Sequence, residues 1–271
     1  ILRVFHNRDD RFHLGRESPV AAGVYFSTKN APVVEDVLGE ILPLARKNGL
    51  RLFAWMTTRY ADYGVEADEG LACKAYDFST GQTARCKGLD LFNEAAVKRL
   101  EAIYEDLASY GIDGLLFQDD MVLRHNEGFG IFAQRLFYKE TGLKLDAEML
   151  YDLKEDGRVE YTGLFWKWAS WKNKRLLTVA GRLKQAVRKR NPDTKFARNL
   201  MYESVTNTPA ALAWLSQSLE EALKYGFDYY SIMAYHRQIE EELGVNPAEA
   251  RSLVERITQA ASLSIGAPEK V

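Results

Sequence analysis

Short, almost continuously apolar runs recur along this chain, separated by longer stretches of helical period, and that alternation limits the folds open to it. The runs are ILRVFHN (1–7), AGVYFS (22–27), LRLFAWM (50–56), DGLLFQD (113–119), KFARNL (195–200) and YYSIMAY (229–235). Strands buried on both faces of a parallel sheet read as continuous apolar segments. AGVYFS is the weakest of the six and fits an extended piece of loop equally well. Between the runs, helices have readable ends. Asn93 is the N-cap of a helix over 93–110, with Val97, Leu100, Tyr104 and Leu107 on one face and Gly111 as its stop. Pro209 opens a helix over 209–225 that carries Leu212, Leu215, Leu219 and Leu223 and ends at Gly226. A long helix over 161–190 carries Trp168, Leu176, Leu183 and Val187, and a last one spans about 247–262. A helix over 33–48 should be kinked or divided at Pro43.

Helix, short Gly-containing turn and buried strand, repeated, indicate βα units and a parallel sheet. No GxGxxG follows any strand and no GxxxxGK[ST] loop occurs, which argues against dinucleotide and P-loop folds. The expected class is therefore α/β, a (β/α)8 TIM-type barrel that is incomplete in this piece, as a single domain over 1–271. The chain opens on ILRVF without an initiator Met and stops at PEKV, so it is expected to be an internal part of a longer protein. With 36 basic and 38 acidic side chains and a formal charge of -2, it has no electrostatic footprint for nucleic acid. The basic cluster KQAVRKRNPDTK falls at a helix C-terminus, where cations complement the dipole. No apolar stretch approaches the roughly 20 residues of a transmembrane span.

In such a barrel, functional residues gather at the C-terminal ends of strands and in the loops that follow. The run DGLLFQDD then makes Asp119 and Asp120 the leading catalytic candidates. Successive strand residues point to opposite sides, so one carboxylate projects into the mouth and the other begins the loop. Apolar walls disfavour a charged carboxylate, which is how a general acid stays protonated near neutral pH. Against this, an Asp here can cap the next helix or pair with Arg124. Glu127, in the loop HNEGFG, is the candidate second carboxylate, and an ordinary solvated Glu is an equal reading. Asp10, in HNRDDR, is weaker. Gln118, Arg198, Asn199 and His236 are the polar strand-end residues expected to bind substrate, and Trp55, Tyr60 and Tyr235 are aromatic surfaces on which the C–H faces of sugar rings stack.

Metal and cofactor chemistry find little support. The four histidines, His6, His13, His125 and His236, show no HExxH or HxxxH spacing, and no GxSxG elbow is present. A carboxylate-based hydrolysis, such as that of glycosidic bonds, is what remains. Cys73 and Cys86 lie close enough in sequence for a disulfide, with two unrelated thiols an equal alternative.

LRLFAWM, then DGLLFQDDMVL, then KFARNL and YYSIMAY together resemble the C-terminal domain of the bacterial poly-β-1,6-N-acetylglucosamine N-deacetylases of biofilm export. The resemblance runs from about 1 to 236, and the aspartate pair is its most specific part. It implies a glycoside-hydrolase-like (β/α)8 barrel that binds and cleaves partially deacetylated poly-N-acetylglucosamine without a cofactor. It places the family's paired aspartates on Asp119 and Asp120, its aromatic strand end on Trp55 and its Arg-Asn pair on Arg198 and Asn199. The family usually has His where Gln118 stands, and its next acidic residue is matched loosely by Glu127. The resemblance further implies an exported, periplasmic or outer-membrane-associated protein with a fused deacetylase domain or export machinery as partner. It also implies that the family's first strand and last two lie outside this chain. The alternative function is a polysaccharide-binding barrel that does not cleave.

Overall fold

Every residue of Gly114–Phe117 is buried, as the GLLF run demands of a strand covered on both faces. In the computed structural model, which describes residues 1–8, 10 and 18–270, it is the middle strand of a parallel sheet. Among the described residues the sheet has five strands in sequential order: β1 (Leu2–Arg3), β2 (Phe53–Met56), β3 (Gly114–Phe117), β4 (Lys195–Met201) and β5 (Tyr229–Met233). All four pairings are parallel, with Arg3 opposite Trp55, Trp55 opposite Leu116, Arg198 opposite Phe117 and Asn199 opposite Ser231. Sequential parallel strands with helical crossovers form the open part of an incomplete TIM-type barrel.

The two sheet faces have different neighbours. Ala54, Met56, Leu115, Phe117, Phe196 and Leu200 enter the main core beneath the helices α1 (Val37–Lys47), α2 (Glu94–Ala108) and α3 (Gly163–Arg190). Phe53, Leu116, Ala197, Tyr229 and Ser231 line the opposite, inner face, along a hollow of about 670 Å³. Helix α2 follows its sequence closely. Asn93 Oδ1 accepts from Ala95 N at 2.9 Å, and Val97, Leu100, Tyr104 and Leu107 are buried.

Several expectations need correction. The 1–7 strand is split into Leu2–Arg3 and Phe5–His6, and the latter pairs antiparallel with Gly23–Val24. That two-residue piece is all that AGVYFS contributes, outside the parallel sheet. Pro43 does not divide α1. It sits exposed on the helix, which runs unbroken from Val37 to Lys47. The 209–225 helix is broken into α4 (Thr208–Leu215) and α5 (Leu219–Leu223) by Ser216, a non-glycine residue at φ 49°. Side chains at the break compete with helical bonding: Ser216 Oγ donates to Leu123 O at 2.9 Å, and Gln217 Oε1 accepts from Met201 N at 3.0 Å. Helix α3 starts at Gly163 because Val159–Tyr161 pairs with Tyr151–Leu153.

A hairpin of Ala72–Asp77 and Gln82–Leu89 leads into Asp90, which is buried and accepts from Phe92 N at 3.0 Å. Burial pushes the Asp90 carboxyl up to about 6. The folded protein thus holds a proton that the unfolded chain releases between about pH 4 and pH 6. The associated stability is full below pH 4 and lost as pH rises through 6. Asp90→Asn is expected to raise stability at pH 7.5 by about 2–3 kcal/mol and to leave it unchanged at pH 4, as checked by urea unfolding at both values.

Candidate active site

The end of β3 sends its two aspartates to different fates. Gln118 N still reaches Met56 O at 2.9 Å, after which the chain turns. Asp120 is buried and points at the loop that follows β2. Its carboxylate accepts from Thr57 Oγ1 at 2.6 Å, Thr58 Oγ1 at 2.7 Å, Thr58 N at 2.9 Å and Tyr60 N at 2.8 Å. Both oxygens are taken up by donors of one four-residue segment. Asp120 therefore ties the end of β2 to the end of β3.

Asp119 is half-buried and, among the described residues, accepts no hydrogen bond from another side chain. Burial raises its pKa, and the Asp120 charge raises it further, while its own backbone N–H and Arg198 oppose the shift. A half-buried carboxyl that is pushed toward its protonated form and takes no hydrogen bond from another side chain among the described residues has the properties of a general acid.

At the same strand ends lie buried polar atoms without partners among the described residues: Trp55 Nε1, Gln118 Oε1, Arg198 Nε and Nη1, Asn199 Oδ1 and, bonded to the end of β4, Gln217 Nε2. Strand register explains the grouping. Trp55, Gln118 and Asn199 continue the inner-face positions of β2, β3 and β4, at or just beyond the strand ends. Arg198 lies on the other face, where Nη2 donates to Met121 O at 2.9 Å. Burial lowers the Arg198 pKa to about 10, with Asp120 and Asp119 acting against it. Buried polar groups rarely stay unpaired, so these atoms are available to a ligand.

Glu127 is tied to the 57–60 loop. It forms a buried ion pair with Arg59 (Nη2 to Oε2, 3.1 Å) and accepts from Arg124 N at 2.8 Å. Burial disfavours the Arg59 charge most strongly, but Glu127, Cys73, Tyr60 and Cys86 together overcome it and raise the Arg59 pKa. Lys172 Nζ, fully buried over the Trp168 ring, donates to Arg124 O at 2.7 Å and Glu127 O at 3.3 Å and so shapes this loop. The hairpin completes the frame: Arg59 Nη1 donates to Lys87 O at 3.0 Å and Leu89 N donates to Arg59 O at 2.8 Å. Gly88, at φ 91°, permits that approach, since a Cβ there would sit 2.8 Å from Arg59 O. Glu127→Gln keeps an acceptor but leaves Arg59 uncompensated, and is expected to cost about 2–3 kcal/mol in urea unfolding at pH 7.

The remaining candidates are more dispersed. Tyr60 borders a hollow of about 360 Å³ with Asn7, Asp62, Tyr63 and Lys87, and its hydroxyl accepts from Arg59 Nη2 at 3.0 Å. Asp10 is bonded to Arg3 at 3.2 Å and accepts from Asn7 N at 2.8 Å. Tyr235 is 58% exposed at the start of the helix His236–Leu243, and exposed His236 lines a separate hollow with Arg251 and Glu255. His13 lies outside the described residues. Glu203 and Gln217 were not singled out in the sequence. Glu203, two residues beyond β4, has Oε2 buried without a partner among the described residues, and burial raises its pKa. The strand-end rule alone would have found it.

A family profile described as hypothetical glycosyl hydrolase family 13 matches residues 16–270. No curated protein sequence matches the chain. The glycoside hydrolase domain of PgaB (BpsB) from Bordetella bronchiseptica superposes with a TM-score of 0.70 at 24% identity, over 90% of this chain and 66% of that one. The chain thus spans just under two thirds of that relative. Two β-galactosidases share the fold more distantly. That of Rahnella sp. R3 gives a TM-score of 0.51 at 10% identity, over 73% of this chain and 31% of its own. That of Marinomonas ef1 gives 0.52 at 12%, over 78% and 35%. With its incomplete parallel barrel and its profile match over nearly the whole length, the chain belongs to hypothetical glycosyl hydrolase family 13.

Proposed function

We propose that this domain hydrolyses a β-1,6-linked polymer of N-acetylglucosamine and glucosamine, with Asp119 as the general acid that protonates the leaving oxygen. The observation that carries the reading is the contrast within the pair: Asp120 is saturated by the 57–60 loop, whereas Asp119 accepts from no other side chain among the described residues and its pKa is raised by burial. Gln118, Asn199 and the indole N–H of Trp55 bind sugar hydroxyl or acetamido groups. Arg198 steadies the turn behind the aspartates, and Tyr60 and the exposed ring of Tyr235 offer stacking faces. Asp120 and Glu127 act as positioning residues in this scheme, and Asp10 and His236 lie at its margin. The domain works outside the cytoplasm, beside a deacetylase domain or export machinery that handles the same polymer. Similarity to the PgaB glycoside hydrolase domain supports this placement.

A second reading, a barrel that binds the polymer without cutting it, draws on the ion pair that engages Glu127 and so withdraws a second carboxylate. Incubation with partially deacetylated poly-β-1,6-N-acetylglucosamine, followed by mass spectrometry, separates the two. Shorter oligomers are expected. Polymer that is retained by the protein but keeps its length would favour the second reading.

A further inference from the structure

The hairpin beneath the Arg59–Glu127 pair sets two cysteines against each other. Its register runs Asp77 to Gln82, Tyr76 to Thr83, Ala75 to Ala84 and Lys74 to Arg85. Continued by one step, that register would set Cys73 opposite Cys86, at the irregularity between Ala72 and Lys74, and the two side chains are in hydrogen-bond contact there. Directly opposed residues of an antiparallel pair have Cα atoms about 4.5–5.5 Å apart. A disulfide needs about 4.4–6.8 Å. Both residues are free thiols; Cys73 is fully buried and Cys86 is half-buried.

We propose that Cys73 and Cys86 are a disulfide-forming pair, oxidised by thiol–disulfide exchange with a disulfide-bearing partner, and that the bond staples the hairpin that supports Arg59 and Glu127. Cys86, the sulfur reachable from solvent, passes its proton to the Cys73 thiolate it faces as it attacks the partner's disulfide. A Cys86–partner bond forms and the partner's other sulfur leaves as a thiolate. Cys73, again as a thiolate, then attacks Cys86 Sγ and the second partner sulfur leaves. Two protein thiols lose two electrons and two protons, and the partner's disulfide becomes a dithiol. The Cys73 thiolate is favoured by the Cys86 thiol, which donates to it, and by the nearby Arg59 guanidinium, against the effect of burial. In an oxidising compartment such a pair closes and persists.

The bond lies where the hairpin meets the site. Lys74 O, next to Cys73, accepts from Gly128 N at 2.8 Å and Phe129 N at 3.0 Å, and Lys87 O, next to Cys86, accepts from Arg59 at 3.0 Å. Stapling the strands at that level restrains both carbonyls together. The inference does not depend on the sugar chemistry.

The test is titration of the whole domain in mixtures of oxidised and reduced glutathione, with alkylation under denaturing conditions, intact-mass measurement and peptide mapping. The expected result is a form with neither cysteine alkylated and with the Cys73 and Cys86 peptides joined. That form should melt about 5 °C higher than the dithiol. Cys73→Ser should trap Cys86 as a mixed disulfide with glutathione. Should that variant fail to fold, the titration of the unaltered protein still decides. Alkylation of both thiols throughout, separate glutathione adducts on each, or a joined form that melts no higher than the dithiol would overturn the proposal.

Discussion

Asp119→Asn is expected to lower cleavage of the polymer by about 10²–10⁴-fold, the usual contribution of a positioned general acid, while polymer affinity stays within about twofold. Asparagine matches the carboxyl in shape but carries no proton to give to the departing oxygen. Because Asp119 has no side-chain partner among the described residues and is only half-buried, the variant should unfold within about 0.5 kcal/mol of the unaltered protein. The loss should therefore appear in kcat and leave KM nearly unchanged, as expected of an interaction made only in the transition state. Steady-state kinetics with reducing-end detection, run beside urea unfolding, measures both. A comparable loss of stability would move Asp119 from chemistry to architecture.

Asp120→Ala should do the reverse in the first instance. The Thr58 and Tyr60 amides and the hydroxyls of Thr57 and Thr58 all converge on this carboxylate from about 60 residues earlier in the chain. Alanine would leave two backbone donors and two hydroxyls facing a void in a buried place. Each buried donor left unsatisfied costs about 1–3 kcal/mol, so the total is expected near 5 kcal/mol, enough to lower Tm by at least about 10 °C. Activity should fall too, because the 57–60 loop carries Tyr60 and Arg59 and through Arg59 holds Glu127. Differential scanning calorimetry checks the stability. A variant that melts within 2 °C of the unaltered protein would mean that the loop is held by something else.

The central sheet was legible because its middle strands are apolar on both faces. LLF in β3 and FAWM in β2 have no polar alternation to confuse the reading, and Asn93 and Gly111 mark the bounds of α2. The hairpin of 72–89 escaped because its strands are largely exposed and polar, QTARCK above all. The break at Ser216 escaped for another reason. Its cause lies in bonds to Leu123 and, through Gln217, to Met201, which are remote in sequence. The site shows the same division. The strand-end rule pointed to Trp55, the aspartates, Arg198 and Asn199, and the parallel register puts them at adjacent strand ends. Nothing local distinguishes Asp119 from Asp120, or marks Glu127 as the partner of Arg59, since the deciding contacts span 60 to 68 positions.

The pH dependence of kcat/KM for cleavage of partially deacetylated poly-β-1,6-N-acetylglucosamine reports the essential acid of the free enzyme. If Asp119 supplies the proton, activity falls on the alkaline side with a midpoint above the ordinary aspartate range, in line with its raised pKa. That limb should vanish from the residual activity of Asp119→Asn. Activity that stays flat or rises from pH 4 to pH 9 would contradict Asp119 as the acid.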